Sequence, residues 1–386
     1  MKKRLLAIAL AALAAPSLSW AAPSITSVTG TVVGISTSTM GNKIVITGAG
    51  YGAKSPAAPL VWAPFENNFS SPTAIGRLTV WGAMELAEST TTAAGGKVYS
   101  GNGALAGVYG WQAAKFGVRT DLPSYGIYGG KWFVSLKRYV NYPFTAGNHK
   151  WLRFWDTNGE SSSGNQYPNI YVGTQGTDQN SKVLGEEFNP DAAVITGLGG
   201  YYPHPAQDLG FWRDEHHILI QNSAVGLWDG AYKVHYATAN ASLNISSDTF
   251  RTDTANAPGQ QDQVWVQDDP SNYTPLGWGY FDDIYVDTTL ARVYITTSST
   301  LAGNSIEQMQ IPSAWAAGEV TAYVNVGPLS AGSTAYLYVC DSADSCNANG
   351  YLLAIGNTYG AGQEAASVTA TATKNIGRVK RKKVQR

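Results

Sequence analysis

The chain is poor in charge, in cysteine and in long apolar runs, and each shortage removes a class of protein. Asp, Glu, Lys and Arg together make up 14% of its 386 residues, where about a quarter is usual. Beyond the N-terminus no stretch stays apolar for the roughly 20 residues that a bilayer-spanning helix needs, which reads against an integral membrane protein. No helix-period segment of useful length follows either. Only Cys340 and Cys346 are cysteines, and two thiols alone leave a structural zinc site short of ligands. A Gly-x-Ser-x-Gly nucleophile elbow is also missing.

What is present favours turns and strands. The 42 glycines and 22 tyrosines accompany short alternating runs, separated by clusters of Pro, Gly, Asn, Ser and Thr, and this is the pattern of an all-β protein. Lys2, Lys3 and Arg4, the apolar run from Leu5 to Ala15 and the small residues of "SLSWAA" read as a signal peptide over 1–21. The protein is therefore expected to be secreted or periplasmic. Residues 359–386 read as a basic disordered tail, with seven cations from Lys374 to Arg386, which leaves cell-surface association open. Without residues 374–386 and the three N-terminal cations the body carries a charge of about −11, which disfavours nucleic acid as a partner. In an oxidising compartment the short loop between Cys340 and Cys346 is expected to close as a disulfide.

The segment "KIVITGAGYG" (43–52) reads as a strand running into a glycine-rich turn. With Pro23 and Ile25, the residues Ile46, Gly48, Gly50, Tyr51 and Gly52 resemble the first half of an immunoglobulin-like IPT/TIG domain. That resemblance implies a Trp-containing segment and a late hairpin, but neither follows Pro59. Both features occur about 240 residues later, in 306–356, around Trp315, the alternating Val320, Ala322, Val324 and Val326, and the strands "STAYLYVCD" and "YLLAIG". Neither fragment alone is large enough to bury a sufficient core. The expectation is an immunoglobulin-like sandwich split between 22–59 and 297–358 and interrupted by an inserted domain over 60–296.

The insert holds many strand candidates and no helix, which suggests a larger jelly-roll β-sandwich. Phe65 and Glu66, "WRDEHH" followed by Asp229–Gly230, and the closing "FDDIYV" resemble the concanavalin A-like, laminin-G-like superfamily of lectins, glycan-binding modules, glucanases and polysaccharide lyases. Period-two alternation sorts side chains into faces. It groups Trp151, Arg153 and Trp155, then Tyr171 and Gln175, then Arg213, Glu215 and His217, then Lys233 and His235, each opposite an apolar set. If the strands are neighbours, these residues form one polar and aromatic concave sheet suited to stacking on sugar rings and hydrogen-bonding their hydroxyls.

Three function classes fit. The first is a lectin-like protein binding a polysaccharide or cell-surface glycan through Trp151, Arg153, Trp155, Tyr171, Gln175, Arg213, Glu215, Lys233 and His235. The second is a uronate-type polysaccharide lyase, with Arg213, His217, His235 and Tyr139 as candidate catalytic groups. It lacks the Gln-Ile/Val-His and Tyr-x-Lys-x-Gly-x-Tyr stretches of alginate lyases, and the Glu-x-Asp-x-x-Glu strand of retaining glucanases is absent too. The third class is a structural or adhesive envelope protein. In the jelly rolls it resembles, a structural calcium sits where first and last strands meet, which points to Glu66 and Asp283 as hard oxygen ligands. The oligomeric state is left open.

Overall fold

A computed structural model describes residues 21–34, 40–65, 79–81, 84–88, 99–100, 103–108, 115–118, 129–140, 149–155, 169–175, 178–186, 201–202, 210–224, 226–237, 242–250, 263–270, 278–301 and 306–360. Residues 1–20 of the expected signal peptide, Glu66 and the expected tail beyond residue 360 lie outside that set. Every regular element among the described residues is a strand, so the chain is all-β.

In chain order the first strands are β1 (Ser24–Thr31), β2 (Lys43–Ala49), β3 (Val61–Ala63), β4 (Thr79–Trp81), β5 (Met84–Glu88), β6 (Gly103–Val108), β7 (Lys115–Val118) and β8 (Lys131–Val140). There follow β9 (His149–Trp155), β10 (Asn169–Gln175), β11 (Asp178–Glu186), β12 (Tyr201–Tyr202), β13 (Trp212–Ile220), β14 (Gly230–Ala237), β15 (Ser242–Phe250) and β16 (Gln263–Pro270). The last are β17 (Trp278–Asp287), β18 (Arg292–Thr296), β19 (Gln308–Ala316), β20 (Glu319–Tyr323), β21 (Thr334–Cys340), β22 (Tyr351–Ala354) and β23 (Thr358–Tyr359).

They form three sheets. The terminal sheet runs β22-β21-β18-β19-β20-β2-β1-β23, the outer sheet β12-β11-β10-β9-β16-β7-β4, and the middle sheet β15-β14-β13-β8-β17-β6-β5 with β3 on β17. The terminal sheet joins the two ends of the chain, because β2 lies antiparallel to β20 with Ile46 opposite Val320. β18 pairs with β19 and β21 in this same sheet, although the boundary at 296 leaves it in the intervening segment. Tyr359, at the expected start of the tail, pairs with Gly30.

Two halves of the terminal sheet wrap one core, with Val28, Ile44, Ile46 and Val320 packed with Val293, Ile295, Leu337, Val339 and Leu353. β19 makes the corner. Its first residues pair with β18, its later ones with β20, and the register slips between Pro312 and Ala314, a common way for a strand to change sheets.

The middle sheet is covered on both faces. Trp132, Val134, Leu136, Leu219, Tyr232 and Val234 pack with Leu152, Phe154, Val264 and Val266 of the outer sheet. From its other face Trp62, Phe133, Ile218 and Tyr285 pack with Tyr294, Met309, Ile311 and Tyr338 of the terminal sheet. This explains why β3, "VWA", is buried at all three positions. Strand alternation sends Val61 and Ala63 into one core and Trp62 into the other.

In β17 a register shift between Asp282 and Tyr285 resets the alternation, so Phe281 and Ile284 enter the same core. Asp283 takes a left-handed backbone there, φ 46°, a region that Asp tolerates better than most residues.

Candidate functional site

Strand alternation places two polar clusters on opposite faces of the middle sheet. On the inward face, toward the outer sheet, Glu215 is the centre. Trp151 Nε1 donates to Glu215 Oε2 at 2.9 Å, and Arg138 Nη1 lies 3.7 Å from Oε1 with its guanidinium 3.9 Å from the Trp151 ring centroid. A carboxylate only accepts, so His217 Nε2–H donates to Glu215 at 3.3 Å. Nδ1 is thereby left to accept from the Tyr232 hydroxyl at 3.1 Å. Burial pushes the His217 imidazole down. Burial works against the Glu215 anion, but the His217 hydrogen bond and the Arg138 charge outweigh it and hold the carboxyl below its usual range. Arg138, Arg213, Glu215 and His217 are at most 1% exposed. This cluster is structural cement between two sheets, sealed from solvent.

On the opposite face a second cluster spans the junction of the middle and terminal sheets. His216 Nε2 lies 3.1 Å from Asp214 Oδ1 and its Nδ1 3.1 Å from Glu307 Oε2. The Glu307 amide donates to Asp214 Oδ2 at 2.7 Å, and Lys137 donates to both Asp214 and the Glu307 carbonyl. His235 Nε2 is 3.9 Å from Glu307 Oε1. Across the gap, Asp344 takes Arg292 Nη1 at 2.8 Å and Lys233 Nζ at 3.2 Å.

Between these groups lies a cavity of about 290 Å³, walled also by Phe133, Ile218, Tyr294 and Leu301. Burial would lower the His216 imidazole, but the Asp214 and Glu307 charges win and raise it. Burial would raise Glu307, and the charge of His216 and its hydrogen bond bring it down instead. The same contest, won by Arg292 and Lys233, lowers Asp344. The junction is a chain of alternating charges held among largely buried side chains.

Asp344 sits in the loop closed by the Cys340–Cys346 disulfide, with a left-handed φ of 67°. Asp341 braces this loop by accepting from the amides of Ala343 and Ser345, each at 2.9 Å. The covalent link and the turn together aim Asp344 at Arg292.

The expected single trough does not form. Trp151, Arg153, Trp155, Tyr171 and Gln175 belong to the outer sheet, where Tyr171 lies opposite Arg153. Arg213, Glu215, Lys233 and His235 belong to the middle sheet, but on opposite faces. The reason is register: Glu215 pairs with Tyr236, His216 with His235 and His217 with Val234. The polar positions of β13 that share a face with His235 are therefore Asp214 and His216. Trp151 is fully buried and Arg153 is 7% exposed, while the side chains of Trp155, Tyr171 and Gln175 lie outside the described set. Tyr139 is buried in an aromatic group with Trp212 and Tyr280. Of the residues singled out in the sequence, Lys233 and His235 line the junction cavity. Glu307, Arg292, Asp344 and His216 join them, and sequence reading did not select them.

Asp283, a candidate calcium ligand, accepts from Ser100 Oγ and Asn325 Nδ2, each at 3.2 Å. Its neighbour Asp282 accepts from the Tyr99 and Ser100 amides at 3.0 and 3.1 Å. Burial raises both carboxyls, Asp283 to about 6. Among the described residues no group of three or more His, Cys, Asp or Glu side chains is placed to hold a metal ion, and no helix is long and apolar enough to cross a membrane.

No protein-family model matches the chain, the immunoglobulin-like ones included, and no curated protein matches its sequence. Solved structures give distant likenesses. The cellulose-induced protein Cip1 is 13% identical with a TM-score of 0.37, over 59% of this chain and 97% of its own. The alginate lyase vAL-1 from Chlorella virus is 13% identical with a TM-score of 0.29, over 54% and 92%. Lectin UEA-II, solved in complex with galactose, is 8% identical with a TM-score of 0.30, also over 54% and 92%. At these scores no residue role passes from them to this chain.

Proposed function

We propose that this is an exported glycan-binding protein whose ligand site is the junction cavity. A single observation carries the reading. In one cavity of about 290 Å³, Lys233, His235, Arg292, Glu307 and Asp344 converge with the rings of Phe133 and Tyr294. Hydrogen-bonding groups fixed by one another beside aromatic walls are what a sugar ring requires, and the volume, near the small end of ligand pockets, suits one or two rings. In this reading the terminal strands form one split sandwich and the intervening strands a jelly roll, with the site where the two meet. Binding without turnover is the favoured chemistry, because Arg213 and His217, the groups best suited to eliminative cleavage, are sealed between sheets.

The test is a glycan array probed with the full chain and with His235→Ala. Binding to a defined glycan set that His235→Ala abolishes, with no new ultraviolet absorbance from an unsaturated sugar, supports the reading. Appearance of that absorbance replaces it with the lyase. Binding unaffected by the substitution moves the site elsewhere.

A further inference from the structure

The junction cavity holds more positive charge than its carboxylates cancel. Asp344 alone serves two cations, Arg292 and Lys233, while Glu307 and Asp214 share His216, and Asp214 also pairs with Lys137. Among the groups that line the cavity, Lys233, Arg292 and a protonated His216 face Asp344 and Glu307, which leaves one positive charge over before His235 is counted. Surplus charge in a partly desolvated site is costly until an anion joins it.

Arg292 shows where that anion would sit. It is 8% exposed, its guanidinium lies 4.8 Å from the Phe133 ring centroid, and Nη1 is tethered to the Leu290 carbonyl and to Asp344, each at 2.8 Å. Its Nε is buried with no hydrogen-bond partner, in a side chain that walls the cavity. A guanidinium takes a carboxylate through two parallel N–H groups. With Nη1 occupied, the Nε–Nη2 edge is the pair available.

We propose that the cavity takes an anionic substituent of its sugar ligand, a carboxylate, on the Nε–Nη2 edge of Arg292 with Lys233 and His235 alongside. This rests on the reading of the cavity as a glycan site and narrows it to acidic sugars. His216 then sets the pH dependence. Facing it are Asp214 on its own strand, Lys137 on β8, His235 and Lys233 on β14, Glu307 before β19, and Arg292 and Asp344 across the cavity. Its charge is present below its raised folded value and lost above it, so affinity for an acidic sugar falls as pH rises while that for a neutral sugar holds.

The experiment titrates the full chain by calorimetry with methyl glucuronide, methyl glucoside and inorganic sulfate, at about pH 6 and about pH 9, on either side of the usual histidine range. The glucuronide is expected to bind about tenfold or more tighter than the glucoside, and to lose that advantage at the higher pH or in Lys233→Gln. Equal or tighter binding of the glucoside overturns the acidic preference and leaves the glycan site standing. Sulfate binding with neither sugar bound overturns the glycan site and leaves an anion pocket. Silence from all three probes overturns both, and a preference untouched by Lys233→Gln overturns the placement.

Discussion

Lys54, just beyond β2, reaches Asp287 at the end of β17 across a gap of 233 residues, and both side chains are fully buried. Asp287 also accepts from the Tyr285 hydroxyl at 3.1 Å and the Thr288 amide at 2.8 Å. Lys54→Met keeps the apolar stem and removes the charge, stranding a buried carboxylate. Breaking one side of such a pair costs about 3–5 kcal/mol, and at about 2–4 °C per kcal/mol for a domain of 150–250 residues the melting midpoint should fall by roughly 10 °C. Lys54→Met with Asp287→Asn should recover most of the loss, giving a coupling of about 2 kcal/mol.

The deficit should also depend on pH. Burial holds the Asp287 carboxyl above its usual range although Lys54 pulls it down. The native state therefore keeps that proton better than the unfolded chain does, and stability falls as pH rises through the folded value. Losing Lys54 enlarges that fall, so the single variant should lie closest to wild type in acid. Calorimetry on the full chain checks both points. A single-variant loss within about 0.5 kcal/mol, the range of an ordinary surface change, would refute the buried pair, as would a deficit that grows on acidification.

Asp283, raised to about 6 by burial, should make stability decline as pH climbs from about 4 through about 6. Asp283→Asn should flatten that stretch of a pH-against-midpoint curve, and an unchanged slope would count against it. Replacing Cys340 and Cys346 with Ser should cost only about 2 kcal/mol, since the closed loop is short. It should also weaken glycan binding, because Asp344 lies inside that loop; full affinity would contradict its role. If calcium binds near Asp283, a chelator should lower the melting midpoint, and an unchanged midpoint removes that proposal.

The faces of β13 and β14 were readable in the sequence, whereas that of Trp151 was not, because a register shift in β9 turns it into the same core as Leu152 and Phe154, and neither was the assembly of the strands. Alternation in 211–220 separates Arg213, Glu215 and His217 from Asp214, His216 and Ile218, and the structure keeps that division. Which set shares a face with His235 depends on a one-residue choice of register, and nothing in the sequence of a strand polar on both sides fixes it. The run "RDEHH" carries polar groups on both faces because the middle sheet is covered on both. The strand is buried nearly throughout, and each face meets its charges with partners from another sheet. Arg292, Glu307 and Asp344 come from a strand, a segment entering a strand and a disulfide loop. The pairing of β18 with β19 and β21, the closure of that loop and the packing of the terminal sheet on the middle one bring them to β13 and β14.

A structure of the full chain with a glycan identified on the array decides whether the junction cavity is the ligand site. The sugar ring is expected in the cavity between β14 and the 340–346 loop, with polar contacts to Lys233, His235 and Arg292. A sugar bound instead at the exposed Leu227–Trp228 turn, or on the outer sheet, would contradict that expectation.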